Sequence, residues 1–118
     1  NEVNFFTVNQ WFDATFFNEN AMQNLHFPSI DYKNFKNFNK RFLNTFNEKP
    51  NKVSILAYDA LGLIYYCWSN NNFQFKQDQL YTKKGFKGLH GEFFIKNNLS
   101  KHKLKIYKVL EKKFVKVY

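Results

Sequence analysis

The sequence predicts a mixed α/β fold, with helices in the middle of the chain and antiparallel strands in its C-terminal part. Phenylalanines recur at helical spacing over residues 35–46, and a continuous apolar segment over 52–69 is long enough for a second helix. Apolar residues alternate with polar ones in short runs from about residue 85 onward. A chain of 118 residues suffices for one domain with a modest core.

The elements before the first helix are less regular. Residues 3–8 (VNFFTV) predict a short strand, and residues 11–25 predict irregular to helical structure. Residues 26–31 (HFPSID) predict a turn around Pro28. Asp31 stands where a helix N-cap is expected, and Pro50 marks the end of the first helix.

The two central helices differ in character. The first shows a single apolar stripe, from which the lysines fall away: Phe35, Phe38, Phe42, Leu43 and Phe46. The second, over 52–69, is apolar on nearly all sides and is predicted to be covered on most of them. In a chain this short, either the remaining residues wrap that helix tightly or part of its partner surface lies on another chain. A short third helix is predicted over 73–81 and strands over 85–95, 103–110 and 114–118.

The glycine-rich run KGFKGLHGEFFIKNN, residues 84–98, could be a phosphate-binding loop or the turn before a strand. A phosphate loop requires a preceding strand and a following helix N-terminus. This run has a strand after it and its glycine spacing fits neither common phosphate-binding template. Turn and bulge geometry is the better interpretation.

Charge is the main argument for a nucleic-acid-binding module. The net charge is +9, and aromatic residues alternate with lysines in YKNFKNFNKRF and KLKIYKVLEKKF. Arg41 is the only arginine, and the joint excess of Phe, Tyr, Lys and Asn is typical of an A/T-rich genome. Nucleic-acid binding is therefore kept only as an alternative.

Catalytic and metal-binding patterns are weak. Glu92 beside His90 suggests an acid–base pair, but strand alternation predicts both on one solvated face with no third group. Cys67 lies within an apolar helix, and the three histidines show no metal-ligand spacing. Asp59, a lone carboxylate on an apolar helix, is predicted to bond a neighbouring amide. No catalytic residue, metal or cofactor is expected, and no apolar run is long enough to span a membrane.

Three stretches of the chain resemble one family in order and spacing. GFKGLHGEFFIKNN followed by KLKIYKVLEKKFVKV resembles the C-terminal strands of type I periplasmic ligand-binding proteins, the branched-chain amino-acid-binding and related receptors. NFKNFNKRFLNTFNEKPNKVSILAYDALGLI resembles their helix pair, with Pro50 and Tyr58-Asp59-Ala60 at matching positions. TVNQWFDATFFNENAMQNLHFPSID resembles a lipoprotein subgroup described as penicillin-binding protein activators.

The resemblance implies the C-terminal third of a two-lobed, Rossmann-like fold. Residues 1–30 would be a lobe-two strand and crossover, 31–84 lobe-one helices, and 85–118 the closing strands. A piece of this kind is expected to self-associate. The resemblance also implies a non-enzymatic periplasmic protein that binds a small molecule, as the solute-binding component of an ABC-type amino-acid or amide transport system with a membrane permease as partner. The alternative role is an activator-like lipoprotein docking on a cell-wall synthase.

Four residues fall where the family places its inter-lobe cleft. Gln10 and Trp11 follow the first strand, and Ser54 and Tyr58 lie where lobe one approaches the cleft. An acidic residue that would hold an amino group is not evident near Gln10, so an ordinary amino-acid zwitterion is not the expected ligand. For each of the four a purely structural role is the competing interpretation.

Overall fold

The computed structural model describes residues 3–8 and 12–118. It has three α-helices, two short 3₁₀ turns and six strands. The helices are α1 (Ala14–Asn18), α2 (Tyr32–Phe46) and α3 (Ser54–Ser69), and the 3₁₀ turns are Asn20–Met22 and Gln77–Tyr81. The strands are β1 (His26–Ser29), β2 (Phe86–Lys87), β3 (Glu92–Lys96), β4 (Leu99–His102), β5 (Lys105–Leu110) and β6 (Lys113–Lys116).

The chain divides into two compact units. Unit 1 contains the described residues of Asn1–Tyr32 together with Leu104–Tyr118, and unit 2 contains Lys33–Lys103. Each has one three-stranded antiparallel sheet, in the order β1-β5-β6 in unit 1 and β2-β3-β4 in unit 2.

Unit 1 is built around aromatic side chains. Phe27 of β1 lies opposite Tyr107 of β5, and their rings stack with centroids 5.7 Å apart. Val109 and Phe17 complete the buried cluster, and α1 begins where the Asp13 carboxylate accepts the Thr15 N–H at 3.0 Å. Three further aromatic residues pack against the cluster: Phe12, Phe16 and Phe114.

The structure corrects two predictions in this unit. HFPSID was predicted to be a turn, yet residues 26–29 form β1. Pro28 is tolerated because the His26 N–H points away from β5, to Phe5, and the nitrogen of Pro28, two residues on, faces the same side. Residues 3–8 were predicted as a strand but form only one bridge, between Phe6 and His26, because their apolar side chains are largely exposed and gain little by extending the pairing.

The Tyr107 hydroxyl supports the start of α2. It accepts the Tyr32 N–H at 3.0 Å and donates to the Ile30 carbonyl oxygen at 3.2 Å. We expect Tyr107→Phe to lower the free energy of unfolding by about 1–3 kcal/mol, because the buried Ile30 carbonyl and the partly buried Tyr32 N–H lose their partner. Urea denaturation measures this, with the exposed Tyr118→Phe as control. Equal stability of the two variants would contradict the prediction.

Unit 2 confirms both central helices. On α2, Phe38 is buried and packs against Tyr58 of α3 with ring centroids 5.8 Å apart. The apolar stripe is only partly covered, since Leu43 and Phe46 at its far end are exposed. The predicted third helix over 73–81 is a 3₁₀ turn at Gln77–Tyr81.

The α3 helix is not wrapped tightly by this chain. Its buried residues are Ile55, Asp59 and Cys67, whereas much of its apolar surface is open: Tyr58, Leu61, Ile64, Tyr65, Tyr66 and Trp68 are 44–68% exposed. The tight-wrapping alternative is therefore wrong. Within the described ranges, no helix combines the length and apolarity that a membrane span requires.

Candidate functional site

The candidate site is a cavity of about 660 Å³ in unit 2, beside α3. One side is formed by α3 and the other by the loop that leads from β2 to β3. The lining is mainly apolar and aromatic, with a few polar groups. Its residues are Asn34, Tyr58, Asp59, Gly62, Leu63, Tyr66, Gly85, Phe86, Lys87, Gly88, Leu89 and Phe93. A concave surface of this composition is typical of small-molecule sites.

Asp59 of α3 binds the loop between β2 and β3 through hydrogen bonds. Its Oδ1 accepts the Leu89 N–H at 2.7 Å, its Oδ2 accepts the His90 N–H at 2.9 Å, and Oδ2 also contacts Nδ1 of the His90 ring. Both Asp59 and His90 are buried. The prediction that Asp59 bonds a neighbouring amide is confirmed.

Gly88 permits this close approach. A Cβ at residue 88 would lie 2.3 Å from Oδ2 of Asp59 and 2.5 Å from its Cγ. Only a residue without a Cβ lets the loop backbone come this near the carboxylate. The next glycine, Gly91, has φ +133° and separates His90 from β3.

The polar contacts continue from His90 into β4. Nε2 of His90 meets Nδ1 of His102, and the Ser100 hydroxyl lies 2.7 Å from Nε2 of His102. Four side chains thus form one hydrogen-bonded line, Asp59–His90–His102–Ser100, which we call the polar line. It joins α3, the loop before β3, and β4.

The surroundings favour an ionised Asp59 and a neutral His102. Burial by itself would raise the pKa of Asp59, but the hydrogen bonds from the His90 ring and from the His90 and Leu89 amides outweigh it and lower the pKa. Burial, and then the proximity of His90, lower the pKa of His102 against the smaller opposing effect of Asp59. His102 therefore resists taking up charge.

The structure corrects the interpretation of His90 and Glu92. They were predicted on one solvated strand face, yet His90 is 3% exposed. Glu92 is exposed and forms an ion pair with Lys103 at 2.9 Å, which lowers the pKa of its carboxyl. The reason is Gly91, whose positive φ interrupts the alternation before β3 begins.

The predicted ligand-contacting residues have different settings. Gln10 and Trp11 lie outside the described residues. The Ser54 hydroxyl donates to Oδ1 of Asn51 at 2.8 Å, at the start of α3, which is a helix-end contact. Tyr58 is 49% exposed and lines the cavity.

Two other chemistries find little support. Cys67 is buried, and burial raises the pKa of its thiol, which disfavours the reactive thiolate. Among residues 3–8 and 12–118, no group of three or more His, Cys, Asp or Glu side chains is arranged to hold a metal ion.

One solved structure shares this fold. It comes from Rhodospirillum rubrum and is provisionally described as a branched-chain amino acid ABC transporter; it matches 99% of this chain with a TM-score of 0.79 at 12% sequence identity. This chain spans 38% of the length of that one. No protein family and no curated protein matches the sequence. The chain has the fold of a part of a type I periplasmic binding protein, as its motifs predict.

Proposed function

We propose that this chain is part of a periplasmic solute-binding protein that captures a small molecule, of the amino-acid or amide class, for an ABC-type importer. The observation that carries the proposal is the shared fold over 99% of the chain with a structure described as a branched-chain amino acid ABC transporter. At 12% identity this likeness concerns the fold, so ligand, compartment and permease belong to the proposal. It is a binding role without catalysis.

The cavity beside α3 agrees with such a role. Its lining includes the polar residues Tyr58, Asn34 and Lys87 beside aromatic side chains. Polar groups of this kind fix the orientation of a ligand while apolar walls exclude water. We propose Tyr58 as a ligand contact, and keep Gln10 and Trp11 as contacts predicted from the sequence.

The first test is a thermal-shift screen of the full polypeptide that carries this chain, against amino acids, small amides and cell-wall peptides. A ligand that binds only the folded protein stabilises it by about 2.7 kcal/mol at a hundredfold excess over its Kd. We expect at least one amino acid or amide to raise the melting temperature. If only a cell-wall peptide or none does so, the solute-capture proposal is wrong and docking on a cell-wall synthase becomes the hypothesis to test.

Tyr58→Phe then tests the site. Loss of one hydrogen bond of about 0.5–1.5 kcal/mol is expected to weaken ligand binding by roughly two- to tenfold in isothermal titration. The matched control is Tyr65→Phe on the same helix, because Tyr65 is 63% exposed and does not line this cavity. Equal affinities for the two variants would remove Tyr58 from the site. High salt should leave binding unchanged, whereas the nucleic-acid alternative requires a steep loss.

A further inference from the structure

The polar line is not needed to explain the proposed solute binding. Asp59 alone would hold the loop, through the N–H groups of Leu89 and His90. The two imidazoles and the Ser100 hydroxyl extend the contact to β4, which is the edge strand of its sheet. β4 is thereby linked to the loop through two imidazoles and a hydroxyl.

With both histidines neutral, a single proton arrangement gives every contact a donor and an acceptor. The Ser100 hydroxyl donates to Nε2 of His102, Nδ1–H of His102 donates to Nε2 of His90, and Nδ1–H of His90 donates to Asp59. The line then carries only the charge of the Asp59 carboxylate.

One added proton leaves the line intact. Protonated His90, beside the Asp59 carboxylate, donates through Nε2–H to Nδ1 of neutral His102, whose Nε2–H then donates to the Ser100 oxygen, whose own hydrogen rotates away. A second proton cannot be accommodated. With both imidazoles protonated, an N–H group of His90 points at an N–H group of His102, so the hydrogen bond is lost and two positive charges face each other.

The charged groups around the two histidines do little to stabilise a second positive charge. On α3 the charged group facing the pair is Asp59, which a single added proton already balances. On β3 and β4, Glu92, Lys101 and Lys103 alternate onto the opposite face from His102, where Glu92 and Lys103 pair with each other. On β2, Lys87 lies opposite Glu92 and brings no negative charge to the histidines.

We propose that the polar line is an acid-sensing contact: it holds β4 to the loop before β3 while the histidine pair carries at most one added proton, and it releases β4 when the second proton binds. Asp59 keeps its hold on the loop in both states, so the change is confined to the edge strand. The inference does not depend on the proposed solute binding.

The direction of the pH effect follows from linkage. His102 in the released state takes up its proton at the ordinary pKa of about 6.5, whereas in the closed state its pKa is lower. As the pH falls from about 6.5 toward the lower value, the released state binds more protons and gains population.

Hydrogen exchange measured by mass spectrometry on the full polypeptide tests the proposal. After correction for the intrinsic effect of pH on exchange, the protection of residues 99–103 is expected to fall between about pH 7.5 and about pH 5, by roughly tenfold for each unit by which the closed-state pKa is lowered. Protection of residues 88–91 should change much less.

Histidine variants supply the control. His102→Gln removes the second charge and should make exchange over residues 99–103 independent of pH. His26→Gln removes a buried histidine of unit 1 and should leave the pH dependence as it is. The proposal is overturned if the wild-type protein shows no such dependence, or if His102→Gln retains it.

A measurement on the unmodified sequence covers the case in which His102→Gln fails to fold. Histidine-labelled protein followed by NMR should show the His102 ring titrating below the ordinary histidine pKa, because the proton on His102 is the one that breaks the line. Titration of the His102 ring at the ordinary value would equally overturn the proposal.

Discussion

Replacing Asp59 by alanine lowers the free energy of unfolding by about 3–5 kcal/mol, because three hydrogen-bond donors lose one shared acceptor, at roughly 1–3 kcal/mol for each buried group. The substitution leaves the N–H groups of Leu89 and His90 and the Nδ1 atom of His90 without their acceptor. The two His90 groups are buried and the Leu89 N–H is partly buried, so water replaces the lost bonds only in part. Urea denaturation followed by circular dichroism measures the loss.

Two further substitutions make that result specific. Asp59→Asn keeps one acceptor oxygen and removes the charge, so it should lose less stability than Asp59→Ala. Asp78→Ala changes an exposed carboxylate in the Gln77–Tyr81 turn and should shift stability by less than about 0.5 kcal/mol. If Asp59→Ala is as mild as Asp78→Ala, the carboxylate does not fasten the loop to α3.

Gly88→Ala is the second severe change. The new Cβ would stand 2.3 Å from Oδ2 of Asp59, so either the loop or the carboxylate must move and its bonds to the amides of Leu89 and His90 lengthen. We expect a loss of about 3 kcal/mol, the upper part of the range for overpacking. Thermal or urea unfolding of the purified variant gives the value.

Gly62→Ala is the matched control, because nothing lies within 4 Å of the Cβ that it adds inside α3. It should stabilise the protein by about 0.8–1.0 kcal/mol through helix propensity. A double-mutant cycle completes the test: in an Asp59→Ala background, Gly88→Ala should lose most of its effect. Additive losses would show that Gly88 and Asp59 act independently.

The central helices could be predicted from the local spacing of apolar residues, whereas strand β1 could not. The spacing of Phe35, Phe38 and Phe42 predicts α2 because helical periodicity is a property of neighbouring residues. Strand β1 depends on its partner β5, nearly eighty residues later in the chain. Pro28 predicts a turn, but it fits within β1 because its nitrogen faces away from β5.

In the candidate site, the role of Asp59 could be predicted from the local sequence, whereas the contact between His90 and His102 could not. The role of Asp59 follows from one charge on an apolar helix, and this was predicted correctly. The burial of His90 was missed, although a glycine on either side of the LH pair signals a change of backbone direction. The meeting of His90 with His102 depends on the β3–β4 register, in which His102 lies opposite Phe93. The three-part division at residues 30 and 84 stays a prediction.

The two units differ in how their residues are arranged along the chain. Unit 2 is one continuous segment, whereas the sheet of unit 1 pairs residues 26–29 with residues 105–108. During synthesis, β1 therefore waits until β5 has left the ribosome before it gains its main partner. Unit 2 is complete earlier, because its last residue, Lys103, precedes β5 in the chain. Contacts this distant in sequence form slowly, because a long loop must close before they stabilise anything. We expect unit 2 to acquire structure first in the cell, with Phe27 as a transiently exposed aromatic that a chaperone could bind.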